Sequence, residues 1–154
     1  MPKGYRLLGL VAVVLATLLV LYFAYQWSVV RDLREHGASL FEGRTPLVAH
    51  LRGDPDELPT VANRCSNCHR VGPTSKETLA SASTRDFGPA LSGDYLRLMR
   101  SRRAGPLSSY DVATFCNVLT KGIDPAQIMV NQTMPHYVLS VSQCAALWTY
   151  LTQF

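Results

Sequence analysis

What this chain lacks narrows what it can be. Its 154 residues hold no basic tract interleaved with aromatics, the footprint that nucleic-acid binding leaves. No stretch alternates strictly between apolar and polar side chains, so nothing reads as a half-buried strand. Without strands there is no βαβ setting for a redox dithiol of the thioredoxin kind. Of the four cysteines only one pair is close in sequence, whereas a structural zinc site normally needs a second close pair of ligands. No acid and base are spaced to share a proton in a reaction. The chain therefore reads as a carrier rather than an enzyme.

Charge is missing from one long run. Leu7 to Tyr25, "LLGLVAVVLATLLVLYFAY", holds 19 residues without a charge. At ~1.5 Å rise per residue it reaches about 28 Å, close to the hydrocarbon thickness of a bilayer. A cleaved signal peptide is the alternative, but its apolar core is usually shorter, about 7–15 residues, and ends at a small-x-small site that "YFAYQWSVV" does not offer. Lys3 and Arg6 precede the run and no acid does, which predicts a cytoplasmic amino end and an exported remainder. Arg31 and Arg34 oppose that orientation but sit beside Asp32 and Glu35. Tyr5, Tyr22, Tyr25 and Trp27 suit the two membrane interfaces. With Lys3 and Arg6 set aside, the 15 Lys and Arg fall to 13 against 11 acids, so the exported part is nearly balanced.

Helix punctuation marks the remainder. "SSYDVATFCNVLTKG" starts with Ser108 and Asp111 in capping-box spacing, carries Val112, Phe115, Cys116 and Leu119 on one face, and meets Gly122 at its end. "SVSQCAALWTYL" repeats the plan, with Ser140 and Gln143 as caps and Val141, Cys144, Leu147, Trp148 and Leu151 as the stripe. "SGDYLRLMRSRR" predicts a shorter helix stopped by Gly105-Pro106, and "RDLREHGASLFEG" a continuation of the apolar run. Pro- and Gly-rich loops separate them at 43–60, 70–93 and 122–136. Loops that long are uncommon in a compact domain unless they serve something. A core this thin gains from a large apolar ligand to fold around.

"RCSNCHRVGP", residues 64–73, carries the chemistry. Cys65 and Cys68 are three apart with His69 directly behind, the spacing of covalent haem attachment. Each thiol would add across one haem vinyl group, and the next residue would bring its imidazole under the iron. Zinc, or a simple disulfide, is the competing use of the pair. "NQTMPHY" offers Met134 as a sixth iron ligand, in a polar loop stiffened by Pro135, where core filling explains a methionine poorly. Met129, Met99 and His136 are rivals, with His50 and His36 behind them. Cys116 and Cys144, on the inward faces of successive helices, are either a disulfide closing a loop around Met134 or two buried thiols. Arg97, Arg100, Arg102 and Arg103 are a solvated helix face, a partner for haem propionates, or a docking patch for an acidic redox protein.

With "CSNCH", "FGPALSG", "TMPHY" and an amphipathic last helix in "LSVSQCAALWTYL", the chain resembles class I c-type cytochromes over roughly residues 60–154. The resemblance implies that Pro89 offers its carbonyl to the second nitrogen of His69 and that Gly88 and Gly93 shape the loop around the haem. It also implies a short first helix bearing a Gly and an aromatic one turn apart and ending at the first Cys. "GASLF" supplies Gly37 and Phe41, yet Cys65 comes 24 residues after Phe41. Either 44–60 is an insertion or the helix is rebuilt from "LPTVANRC".

The expectation is thus an all-α chain: a membrane anchor at 1–27, a connecting segment at 28–60 and a cytochrome c domain at 61–154 wrapped around one covalent haem c. Cys65, Cys68, His69, Met134 and Pro89 are its cofactor-binding residues, with His69 and Met134 on the metal. It would sit in the inner membrane with its haem domain in the periplasm. There it would relay single electrons from a dehydrogenase or quinol-oxidising complex to an oxidase or reductase. The alternative is a fixed haem subunit of a membrane-bound oxidoreductase, its anchor packed on other spans through Gly9, Ala12 and Ala16.

Overall fold

A computed structural model describes residues 4–72 and 88–154, with side chains from residue 9 onward. Lys3 and the greater part of the loop expected at 70–93 lie outside the described residues. Two compact units divide the chain between Asp32 and Leu33.

The first unit is the body of helix α1, which runs Gly4–Phe41. No proline interrupts it, and leucine and alanine, strong helix formers, are frequent along it. Every residue from Gly9 to Val29 is exposed. The helix is long and apolar enough to cross a membrane, with a mean hydropathy of 2.0. The hydroxyls of Thr17 and Ser28 turn back on the helix: Thr17 donates to the Val14 carbonyl and Ser28 to that of Tyr25, both at 2.8 Å. That removes donors which hydrocarbon could not satisfy.

The second unit is mostly helical. It starts with the last turns of α1, where Gly37 lies so close to the Ala146 carbonyl that a Cβ would collide with it. Phe41, one turn on, meets the Tyr150 ring at 5.8 Å. The helix stops at Gly43, whose φ of +73° a side chain would resist. Two longer helices follow late in the chain, α3 (Val112–Lys121) and α4 (Val141–Leu151), with the short α2 (Gly93–Arg97) before them. Ser140 and Gln143 cap α4 as the sequence indicates. Gly122 closes α3 in the left-handed region.

Three expectations need correction. The chain is not all-α. Short strands β1 (Val48–His50), β2 (Arg100–Ser101), β3 (Leu107–Ser108) and β4 (His136–Val138) form two two-stranded sheets, β1 with β4 and β2 with β3, both antiparallel. Ladders of two or three residues are too short to show alternation, which needs about four to eight. The helix expected over "SGDYLRLMRSRR" ends at Arg97, because the chain turns so that the Arg102 guanidinium can reach the carbonyls of Tyr95, Leu96 and Ser108. The cap of α3 is Asp111 paired with Thr114, not Ser108 with Asp111; Ser108 is taken up by β3.

The core gathers Leu40 and Phe41 of α1, Leu47 and Ala49 around β1, Leu96 of α2, Phe115, Val118 and Leu119 of α3, Tyr137 of β4, and Ala146, Leu147 and Leu151 of α4. Each fully buried Leu contributes roughly 1.5–3 kcal/mol. The outer ends of the predicted stripes fray: Val112 and Val141 are exposed. Cys116 and Cys144 join α3 to α4 with Cα atoms 5.6 Å apart, at disulfide distance.

Candidate functional site

The core is not closed. Its helices and loops surround a cavity of about 360 Å³, within the ~300–1,000 Å³ typical of small-molecule sites. Most of its wall is apolar: Phe41, Leu91, Leu96, Phe115, Val118, Leu119, Leu147 and Leu151. Polar and reactive groups interrupt it, among them the five singled out in the sequence. Cys65, Cys68, His69, Pro89 and Met134 all line this one cavity. Met99, Met129, His36, His50 and His136 do not.

The cysteine segment is a short 3-10 turn, Cys65–Asn67, tied by bonds of its own: Cys68 N–H to the Cys65 carbonyl at 3.2 Å and His69 N–H to the same oxygen at 2.9 Å. Two thiols and an imidazole are thus presented by a stretch of five residues. Cys65 Sγ lies 3.9 Å from the Tyr137 hydroxyl, which itself donates to the Asn63 carbonyl at 2.8 Å. Burial pushes the Cys65 thiol up to about 11, and the Tyr137 phenol upward as well. At neutral pH Cys65 is therefore a protonated thiol, not the thiolate that disulfide exchange requires.

His69 Nδ1 lies 2.9 Å from the Pro89 carbonyl oxygen. In the tautomer protonated at Nδ1 it donates there, which leaves Nε2 as the nitrogen with a free lone pair. Burial holds the imidazole below its ordinary value, which favours the neutral ring. Gly88 packs against this ring so closely that a Cβ would strike it. Cys65, Cys68 and His69 are not gathered into one ligand set; among the described residues no cluster of three His, Cys, Asp or Glu could hold a bare metal ion.

Met134 comes from an exposed loop, "NQTMPHY". The Asn131 side chain accepts from the Thr133 N–H at 3.0 Å, and the Asn131 carbonyl from the Met134 N–H at 3.0 Å. This tight turn points the thioether at the cavity rather than at solvent, and Met134 packs on the core.

The arginines divide. Arg97 and Arg100 cover aromatic rings of Trp148 and Tyr95. Arg102 is buried, 4% exposed, between the rings of Tyr95 and Tyr110 at 5.4 and 4.8 Å. Carbonyls of Tyr95, Leu96, Arg100 and Ser108 accept from it, and among the described residues no carboxylate pairs with it and its Nε has no partner. Arg103 lines the cavity and pairs with the fully buried Asp124. A buried cation without an anion is expensive, and Tyr95 and Tyr110 beside it face the cavity. The Arg-Arg pair was visible in the sequence, but the burial of Arg102 was not: Tyr110 read as part of a helix start, and the short β2–β3 ladder that turns Arg102 inward has no pattern. Tyr137 was missed for the same reason.

Comparison of the chain with protein-family models, curated proteins and solved structures finds no match. The case for function rests on the site.

Proposed function

We propose that this is a membrane-anchored monohaem cytochrome c that relays single electrons between redox proteins at the periplasmic face of the inner membrane. One observation carries the reading: two thiols, an imidazole and a thioether, from stretches far apart in sequence, line a single apolar cavity. The residues fit a haem. The wall suits an apolar macrocycle, and Arg103, which lines the cavity, suits its carboxylates. Haem bound there would supply one-electron chemistry.

The protein's part is to hold and tune. Cys65 and Cys68 would give their sulfurs to thioether bonds. His69 would offer Nε2 to the iron, with the Pro89 carbonyl fixing its ring and raising its basicity. Met134 would offer sulfur, and His–Met ligation would raise the potential into the range of late respiratory steps. Arg103, with Tyr95 and Tyr110, would meet the carboxylates. The zinc and dithiol readings are weaker: no three-ligand set converges among the described residues, and Cys65 is a poor thiolate.

The test is a denaturing gel of the full-length protein stained for haem peroxidase activity, together with membranes washed in carbonate. One stained band at the full mass, retained by the washed membranes, is the expected result. Haem extracted by acidified organic solvent, or protein that washes off freely, overturns the attachment or the anchor respectively.

A further inference from the structure

We infer that residues 47–58 form a strap that keeps the Met134 loop closed over the cavity, with Arg52 as its positioning residue; this rests on the reading of Met134 as an iron ligand. Taken alone, the loop is weakly held. Asn131, Gln132 and Thr133 are exposed, and the bonds inside it are those of one turn. Its restraint comes from both flanks, and both lead to the same segment.

On the leading side, the Val130 N–H donates to the Gly122 carbonyl at 2.8 Å, and the Val130 carbonyl accepts from Arg52 Nη2 at 2.9 Å. On the trailing side, β4 pairs residue for residue with β1: Val48 with Val138, Ala49 with Tyr137, His50 with His136. The His136 ring fills the space beside Gly122 and the Arg52 guanidinium. Arg52 and β1 therefore grip the chain four residues before Met134 and two residues after it.

The strap is itself fixed. Leu58 N–H returns to the Ala49 carbonyl at 2.8 Å, a bridge joins His50 to Glu57, and Ala49 and Leu47 are buried in the core. Asn63, buried two residues before Cys65, donates to the Leu47 carbonyl at 2.6 Å and accepts from Tyr137 at its own carbonyl. One segment thus connects the stretch bearing the cysteines to both ends of the stretch bearing the methionine. Any outside ligand must first displace the thioether, and that requires residues 130–136 to move away from the strap. The strap's role is to make that opening rare, so that the site passes electrons and does not bind small ligands.

The experiment uses full-length holoprotein in detergent, with wild type compared with Arg52→Ala and Arg52→Lys. Ferric protein is titrated with imidazole while the weak sulfur-to-iron absorption at the red edge of the visible is followed, and urea unfolding is followed separately by helix signal. Losing one charge-assisted hydrogen bond from the closed state should tighten imidazole binding roughly tenfold in Arg52→Ala. Arg52→Lys, which keeps a donor, should recover much of the difference, and the urea midpoint should move little. Unchanged imidazole affinity in Arg52→Ala, with the band present in wild type, overturns the strap and leaves the ligand reading standing. A lowered urea midpoint without tighter imidazole binding overturns it as well, because Arg52 would then support the fold and not the loop. A wild-type protein without the band removes Met134 as ligand, and the strap's role falls with it.

Discussion

Residues 65–69 and residues 130–138 line the same cavity but reach it by different routes. The first stretch makes its own shape. The backbone bonds that shape its turn join residues three and four apart, and contacts with Gly88, Pro89 and Tyr137 add to a shape already made. The second has almost no shape of its own. It depends on Gly122, Arg52, β1 and Asn63, residues brought to it by the rest of the fold. A locally determined element keeps its chemistry as long as the covalent order is kept. An element assembled from distant contacts can be loosened from many directions, and on the proposed reading it is where ligand access and potential would be set.

The largest effect should come from cutting the local element. Cys65→Ser with Cys68→Ser should abolish haem staining on denaturing gels altogether, whereas Met134→Ala should stain at wild-type intensity. Equal loss in both would mean that the two stretches do not divide the work into holding and tuning.

A smaller effect should follow from the pair that joins α3 to α4. Their Cα separation fits a disulfide, and the loop it would close contains Met134. Cys116→Ser with Cys144→Ser should lower stability by about 2–4 kcal/mol in urea. A reductant should do the same to wild type, and haem should stay attached in both. Identical urea midpoints with and without reductant would show two free thiols instead.

The smallest is at the cap of α3. Asp111 accepts from the Thr114 N–H at 2.7 Å and from its hydroxyl at 2.6 Å, which holds the carboxyl below its ordinary value of 3.8. Asp111→Ala should cost about 1 kcal/mol at neutral pH. Because the folded value is depressed, the contribution is complete above 3.8 and is lost as pH falls through the lower, folded value. The gap between wild type and variant in urea midpoint should therefore narrow only in acid. A gap independent of pH would mean that the charge of Asp111 plays no part.

The same contrast explains what could be read in advance. The cysteine–histidine spacing, the apolar run, the caps at Ser140 and Gln143 and the stop at Gly122 are local, and the sequence displays them directly. Met134 could be singled out only because a methionine in a polar loop before proline is odd. Strands β1 and β4 were invisible, since a three-residue ladder between segments so far apart in sequence has no period to detect. The segment 44–60 read as a bare loop, yet it carries β1 and the buried Leu47 and Ala49. Arg102 read as one of four arginines that were a solvated face, a propionate partner or a docking patch; only the turn that folds it between Tyr95 and Tyr110 makes its charge a buried one.

The central claim is that His69 and Met134 hold the iron from two stretches of the chain, and one comparison of spectra tests it most directly. Ferric wild-type protein should show the weak sulfur-to-iron absorption at the red edge of the visible, and the reduced protein should resist carbon monoxide. Met134→Ala should lose the absorption, fall in potential and bind carbon monoxide readily, with haem still attached. Wild-type protein that lacks the absorption and binds carbon monoxide at once would contradict the account, and would make the cavity a ligand-binding site rather than an electron relay.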